Sequence, residues 1–289
     1  MKIVFWGMKR MIPQIEYKLI TPSIGAEITR FDCTSVTSEI ATELRKLLIL
    51  RKVLVFRDQA ITPSEFLKFM KNFGNPYAED IKPQDGNPPE IGVIKIQPAE
   101  RQTINFWHMD YSFQEKPAPI LALHAKQVPP CGGDTLFANL EAAYDGLEER
   151  IKIQISSLLT NHKLSVQTQN AKNRWTKKEL EEMDANPPIQ HPLVCINPDN
   201  EKKFLFINVP IFCGSIVGME DEKSSDLLSS LYRHVQQPEF NFRLVWSEDT
   251  LVVWENTHCL HYPVSDYFPH ERKMLRVAIQ GHRKPCSIC

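Results

Sequence analysis

Charge of one sign, long apolar runs and paired cysteines are all scarce in this chain, and each shortage removes a class of protein. Lys and Arg number 34 against 35 Asp and Glu, for a formal net charge of −1. No whole-chain field therefore recruits nucleic acid or an anionic membrane, and a small-molecule partner is expected instead. The densest apolar run, Leu47-Leu48-Ile49-Leu50, is cut by Arg51 and Lys52, far short of the roughly 20 residues a membrane helix needs. At the start, Ile3-Val4-Phe5-Trp6 is interrupted by Lys9 and Arg10 with no small-residue cleavage site after them, so export is not expected. Met8 and Met11 are alternative starts that would make the first ten residues dispensable. The cysteines are an odd seven (Cys33, Cys131, Cys195, Cys213, Cys259, Cys286 and Cys289), unlike the dense framework of a small secreted domain. Reduced thiols in the cytoplasm are the expectation. The chain also lacks repeats, low-complexity stretches and a linker, and its 289 residues bury a core without covalent staples, so residues 1–289 read as one domain.

What is present is a series of short strands with a few helices. Ser38 to Arg51 carries Ile40, Leu44, Leu47 and Leu48 at helical spacing and runs into the apolar strand Val53-Leu54-Val55-Phe56. Thr62-Pro63-Ser64-Glu65 is a capping box with proline at the first helical position, and Phe66, Phe69, Met70 and Phe73 follow on one face, with Gly74 as the stop. Strands are expected at 91–96, 106–111, 120–126 and 135–137, separated by Pro and Gly clusters. Residues 139–184 turn helical and polar, with a second capping box at Thr176 to Glu179, and read as a helical insertion that could form a lid. Strands resume at 191–195 and 203–209. A helix is expected at 221–235 with Leu227, Leu228, Leu231 and Val235 inward, and further strands at 242–246, 250–254 and 274–280. The pattern predicts a mainly β domain with flanking helices (α+β), a double-stranded β-helix or cupin-like jelly roll that holds its ligand between two sheets.

His108-Met109-Asp110 is the most informative triplet. Residues two apart on a strand share a face, and His261 from a neighbouring strand could complete a triangle. Two imidazoles and one carboxylate leave open coordination positions on Fe(II), the arrangement non-haem oxygenases use. Alone, the triplet is a weak signal, and His258 and His270 compete for the third place. On one strand with His261, His258 would face the other way and take a surface or supporting role. Cys286-Ser287-Ile288-Cys289 resembles half a zinc knuckle, but no second pair sits at suitable spacing, so a flexible terminus at 285–289 is the better reading. Cys259 reads as a small core residue.

The triplet has company. Asn105-Phe106-Trp107-His108-Met109-Asp110, Gly132-Gly133-Asp134-Thr135, Trp254-Glu255-Asn256, His261-Tyr262, Asp266-Tyr267, Arg272 and Arg276 stand in the order and at the spacings of the taurine dioxygenase family of Fe(II)- and 2-oxoglutarate-dependent dioxygenases. The resemblance extends upstream through Ile24-Gly25-Ala26 and residues 51–59, and it is weakest in the insertion. It implies that His108, Asp110 and His261 are the catalytic metal ligands. It also implies that Arg272, helped by Thr135, binds the distal carboxylate of the co-substrate, which a guanidinium grips through two parallel charge-assisted bonds. Arg276 would meet an anionic group on the substrate, or equally serve as a salt-bridged barrel residue. With O2, such an enzyme hydroxylates or desaturates an unactivated C–H bond and releases succinate and CO2; the alternative is a non-catalytic metal- or metabolite-binding protein of the same fold. Oligomeric state is not legible in the residues, although relatives of this fold are often dimers or tetramers, which leaves a homo-oligomer open.

The departures bear on substrate. The taurine enzymes have histidines shortly after the Phe-Gly that matches Phe73-Gly74, whereas this chain continues Asn75-Pro76-Tyr77-Ala78-Glu79-Asp80, which makes taurine doubtful. Ile104 replaces a polar substrate contact, so that side of the pocket is more apolar. Tyr77 is a third candidate substrate contact, and Glu79 and Asp80 beside it could pair with a substrate amine.

Overall fold

The protein is described from a computed structural model that covers residues 10–12, 15–78, 86–98, 100, 102–164 and 176–287. Capping chemistry sets the helix starts. The Ser38–Arg51 helix begins where the Thr37 hydroxyl accepts the Ile40 N–H, and it ends at Lys52, whose left-handed backbone (φ 65°) turns the chain into the Val53–Phe56 strand. A lysine in that conformation costs roughly 1–2 kcal/mol, so its side chain must be held. Pro63–Met70 opens with the reciprocal Thr62 and Glu65 box, and Lys177–Ala185 opens with the same box at Thr176 and Glu179. The Asp221–Val235 helix buries Leu228, Leu231 and Val235, while Leu227 is half-buried against the same cluster.

Eight strands form the larger sheet, in the spatial order Arg10–Ile12, Ile15–Leu19, Ala26–Thr29, Val53–Phe56, Leu251–Glu255, Ile120–Gln127, Arg272–Ala278 and Gly92–Ile96. Only the Ala26–Thr29 and Val53–Phe56 pair is parallel. Val53–Phe56 and Leu251–Glu255 are buried at every residue, as central strands covered on both faces must be. On one face, Leu54, Phe56 and Val253 pack against Leu44, Leu47, Phe66 and Phe69 of the two early helices. On the other, Val53, Val55, Leu121 and Val252 share a core with Phe137, Phe242 and Leu244 of a three-stranded sheet, ordered Asn241–Leu244, Thr135–Asn139, Cys259–Pro263. Ala138 and Leu260 on the outer side of that small sheet meet Leu228 and Leu231 of the late helix. The result is a jelly roll with helices on both outer faces. Among the described residues no helix is long and apolar enough to cross a membrane.

The insertion is not wholly helical. After the short helices Leu140–Asp145 and Glu149–Ile155 comes a strand, Leu159–His162, set between Cys213–Ile216 and Ile189–Pro192 in a second three-stranded sheet. Its inward residues are Thr160 and His162, both fully buried and 3.0 Å apart, so strand alternation exists there without an apolar signature. Residues 165–175 of the expected lid lie outside the described residues, as does Cys289. The upstream motif residues are architectural. Arg51 donates to Thr21 O (2.6 Å) and Pro22 O (3.1 Å) around Gly25, whose φ is 84°. The buried Gln59 side chain accepts from Cys33 N and donates to Phe31 O and Arg57 O.

Candidate metal centre and co-substrate pocket

His261 lies on the Cys259–Pro263 strand, and its backbone exchanges two hydrogen bonds with His108, at 2.9 and 2.8 Å. Apart from this bridge, the expected strand at 106–111 is not one. Its polar backbone is satisfied by side chains instead. Asn208 Oδ1 accepts from Met109 N at 3.1 Å, and Asn208 Nδ2 donates to Met109 O at 2.8 Å. Asn256 does the same for Asp110, accepting from its N–H at 3.2 Å and donating to its carbonyl at 2.8 Å. A carboxamide carries one acceptor and an N–H donor group, like a peptide unit, so two buried asparagines replace a neighbouring strand. The segment ends at Tyr111, whose backbone is left-handed (φ 61°).

This anchoring brings His108, Asp110 and His261 together, with one potential ligand atom from each lying within 4.8 Å of the others. The two imidazole centroids are 4.1 Å apart, and His108 Nε2 is 3.5 Å from Asp110 Oδ1. His108 Nδ1 lies 2.9 Å from the Phe106 carbonyl. Only an N–H satisfies a carbonyl, so the proton belongs on Nδ1 and Nε2 presents its lone pair toward the cluster. Burial, with His108 adding to it, pushes the His261 imidazole down to about 3. Burial alone would raise the Asp110 carboxyl, but Arg276, His108 and His261 together outweigh it and hold the group well below the usual carboxylate range. A neutral imidazole and an ionised carboxylate are the states that a divalent cation requires.

Arg272 opens a strand of the opposite sheet and is 3% exposed, yet its Nε and Nη2 have no hydrogen-bond partner among the described residues. Its guanidinium lies over the Trp246 ring at 5.7 Å, and Trp246 Nε1 donates to Thr135 Oγ1 at 3.0 Å. With that lone pair occupied, the Thr135 hydroxyl proton is left to donate elsewhere. A buried guanidinium with two unsatisfied nitrogens is costly, so Arg272 and Thr135 together call for an anion. Gly132 and Gly133, with φ of 76° and 69°, shape the turn beside them, and a Cβ on Gly132 would lie 2.5 Å from the Asp266 carboxylate. Asp266 in turn accepts from Gly133 N at 2.8 Å, and Arg243 bridges Asp134 and Asp266.

The remaining candidates are placed as follows. Arg276 shares the strand with Arg272, but its Nη2 donates to Asp110 Oδ2 at 2.9 Å and its Nη1 to the Tyr111 hydroxyl at 2.9 Å. Tyr77 packs edge-on against Tyr111, with centroids 5.5 Å apart. Ile104 is half-buried in the loop leading to Phe106, and Glu79 and Asp80 lie outside the described residues. His258 is not part of the cluster, and it is no surface residue either. It ends the Asn256–His258 turn at 8% exposure, its ring 4.2 Å from that of Phe204. His270 sits in a loop turn outside the cluster. Two residues escaped sequence reasoning, Asn208 and Trp246, and Asn256 stood in the family pattern without a role. The available signal for Asn208 was a lone amide inside the apolar stretch Leu205-Phe206-Ile207-Asn208-Val209.

A jelly roll with a His-Asp-His cluster at one sheet and an unpartnered arginine on the other defines a mononuclear metal oxygenase that uses an anionic co-substrate. The chain belongs to the family described as taurine catabolism dioxygenase TauD, TfdA family, which matches residues 16–278. It is an Fe(II)- and 2-oxoglutarate-dependent dioxygenase. It is 30% identical to the alkylsulfatase of Acinetobacter baylyi over 93% of this chain and 86% of that one. It is 28% identical to the alpha-ketoglutarate-dependent sulfonate dioxygenase of Saccharomyces cerevisiae over 95% of this chain and 69% of that one. Among solved structures, AAD-2 in complex with Mn(II) and N-oxalylglycine superposes with a TM-score of 0.79 at 28% identity, covering 94% of this chain and 99% of the other.

Proposed function

We propose that His108, Asp110 and His261 hold the Fe(II) and that Arg272 and Thr135 hold the far carboxylate of 2-oxoglutarate. The observation that carries this reading is the buried Arg272 guanidinium, with two nitrogens that no group among the described residues satisfies. The Mn(II) and N-oxalylglycine of the superposed structure supply the same two chemistries, a divalent cation and a small dianion. When bound, Fe(II) with 2-oxoglutarate and O2 supplies the oxidant that hydroxylates or desaturates a C–H bond, and succinate and CO2 leave. The chain's own part is positional. The Phe106 carbonyl fixes the His108 tautomer, Asn208 and Asn256 hold residues 109 and 110 in register, Arg276 keeps Asp110 ionised, and Trp246 aims the Thr135 hydroxyl.

The substrate, in this reading, is an organic anion with an apolar body. Arg276 brings positive charge to the pocket between Asp110 and Tyr111, where a sulfate, sulfonate or carboxylate can share it. An aromatic arc runs alongside, from Tyr77 to Tyr111, Phe113, Phe212 and Phe106, in steps of 5.5 to 6.4 Å, and ends 5.3 Å from the His108 ring. Ile104, in the loop before Phe106, would add to the apolar side. Relatives named for alkyl sulfates and sulfonates support the anionic head group. The balanced charge of the chain supports a freely diffusing metabolite in the cytoplasm over nucleic acid or membrane lipid. The test is succinate release with Fe(II), 2-oxoglutarate and O2 across alkyl sulfates, alkanesulfonates, phenoxy acids and the corresponding neutral alcohols. Stimulation by an anionic series, lost in Arg276→Ala, is expected; equal stimulation by the neutral alcohols would refute the anionic reading.

A further inference from the structure

We propose that a cavity of about 1110 Å³ beside the Asn256–His258 turn is a second ligand site, which takes an organic anion with an apolar body and a hydroxyl at its inner end. None of His108, Asp110, His261, Thr135, Arg272 or Arg276 lines it, so it stands independently of the metal centre. Its walls come from the Ser38–Arg51 helix, the turn at 73–75, Pro198 and Asp199, and the segment 279–286 that follows the last strand.

Three observations select the ligand. The lining includes Leu48, Phe73, Phe204, Phe206 and Ile279, a surface that favours an apolar body. The rim is cationic beyond its own neutralisation. Lys46 is paired with Glu43, Arg283 lies 3.8 Å from Asp199, Lys284 is paired with Glu115, Lys116 also acts on the Glu115 carboxylate, and Arg45 donates to Asn72 O and Thr42 Oγ1, so five cations stand against these three carboxylates. This excess of two cations at the mouth favours an anionic head group there. The inner wall carries Glu255 and His258, at 7% and 8% exposure, and Glu255 Oε2 and His258 Nε2 have no hydrogen-bond partner among the described residues. Lys52 Nζ stops 3.8 Å from that oxygen, and His258 Nδ1, at 3.2 Å, lies off the bonding direction. Leaving a buried polar group unsatisfied is unfavourable. A ligand with a hydroxyl at its inner end offers both a donor and an acceptor to this pair, after a small side-chain adjustment.

The test is calorimetric titration of 12-hydroxydodecanoate into the protein loaded anaerobically with Fe(II) and 2-oxoglutarate. At least one equivalent is expected to bind, with one retained in Arg276→Ala. The double variant Arg45→Glu, Lys116→Glu, at exposed positions that leave the fold intact, should weaken binding about tenfold or more. Gln280→Trp, a bulky side chain at another exposed lining position, should weaken it similarly, and dodecyltrimethylammonium should bind about tenfold more weakly or worse. Arg276→Ala should leave the affinity unchanged. Absence of binding, equal affinity for the two head groups, wild-type affinity in both rim variants, or loss of binding in Arg276→Ala, which would put the probe in the catalytic pocket, overturns the proposal.

Discussion

Lys52 and Arg272 are both almost wholly buried cations, at 1% and 3% exposure, and the protein treats them in opposite ways. Lys52 Nζ donates to Glu141 Oε1 at 2.6 Å and to Ile49 O at 2.5 Å, and Glu141 also accepts from Asn197 at 2.8 Å and Asn200 at 3.2 Å. That cluster is closed, and it pins the left-handed turn between the first long helix and the sheet to the helix at Leu140–Asp145. Arg272 has the Trp246 ring beneath it and two nitrogens with nothing to bond. Burial alone does not mark a site. What marks it is a buried charge whose partners the chain does not provide, because the desolvation cost is tolerated only if something else offsets it.

Methionine substitutions separate the two most sharply. Lys52→Met leaves Glu141 and Glu255 without their cation and should lower unfolding free energy by about 3–5 kcal/mol, while the concentration of 2-oxoglutarate needed for half-maximal turnover stays at the wild-type value. Arg272→Met removes a cation whose Nε and Nη2 have no hydrogen-bond partner among the described residues, so stability should hold or rise, whereas the 2-oxoglutarate requirement should increase about 100-fold, roughly 2.7 kcal/mol. Denaturant unfolding and 2-oxoglutarate saturation measured on both variants check the pair. If Lys52→Met raised the requirement as much as Arg272→Met, the division would fail.

Asn256→Ala sharpens the comparison from the metal side. It removes the amide that holds the Asp110 backbone, and it should weaken Fe(II) binding about tenfold, in an equilibrium titration, with little change in the 2-oxoglutarate requirement. Unaltered Fe(II) affinity would reduce Asn256 to a packing residue. The smallest effect belongs to Glu255, which burial raises from 4.5 to about 7 against the pull of Lys52 and with the push of Glu141. Because the folded pKa is the higher one, the folded state keeps a proton that the unfolded state has lost between about pH 4.5 and 7. Stability therefore falls as pH rises through that window, by on the order of 1 kcal/mol and at most about 3. Glu255→Gln should flatten that part of the stability profile; an unchanged slope would assign it to other groups.

Much of this architecture was readable before the fold was known, and the reasons differ by region. The helices at Ser38–Arg51, Pro63–Met70 and Asp221–Val235 were legible because capping boxes and apolar spacing are local. His108, Asp110 and His261 were legible because the first two are near neighbours in sequence and the third stands at a family spacing. The conformation at 106–111 was not, since it depends on amides 99 and 146 residues away in the chain. Nor was the Leu159–His162 strand, whose buried positions are a threonine and a histidine. His258 was placed by strand alternation, but a 3-10 turn occupies its position, and the ring turns inward beside Glu255.

The most direct measurement is anaerobic. Fe(II) and 2-oxoglutarate are added together to the purified protein, and the visible absorption band that needs both is recorded for wild type, His261→Ala and Arg272→Met. A band in the wild type that vanishes with His261→Ala and demands about 100-fold more 2-oxoglutarate with Arg272→Met is the predicted result. A band that persists unchanged in His261→Ala, or Fe(II) that binds without any band in the wild type, would contradict the assignment of this cluster as the oxygenase centre.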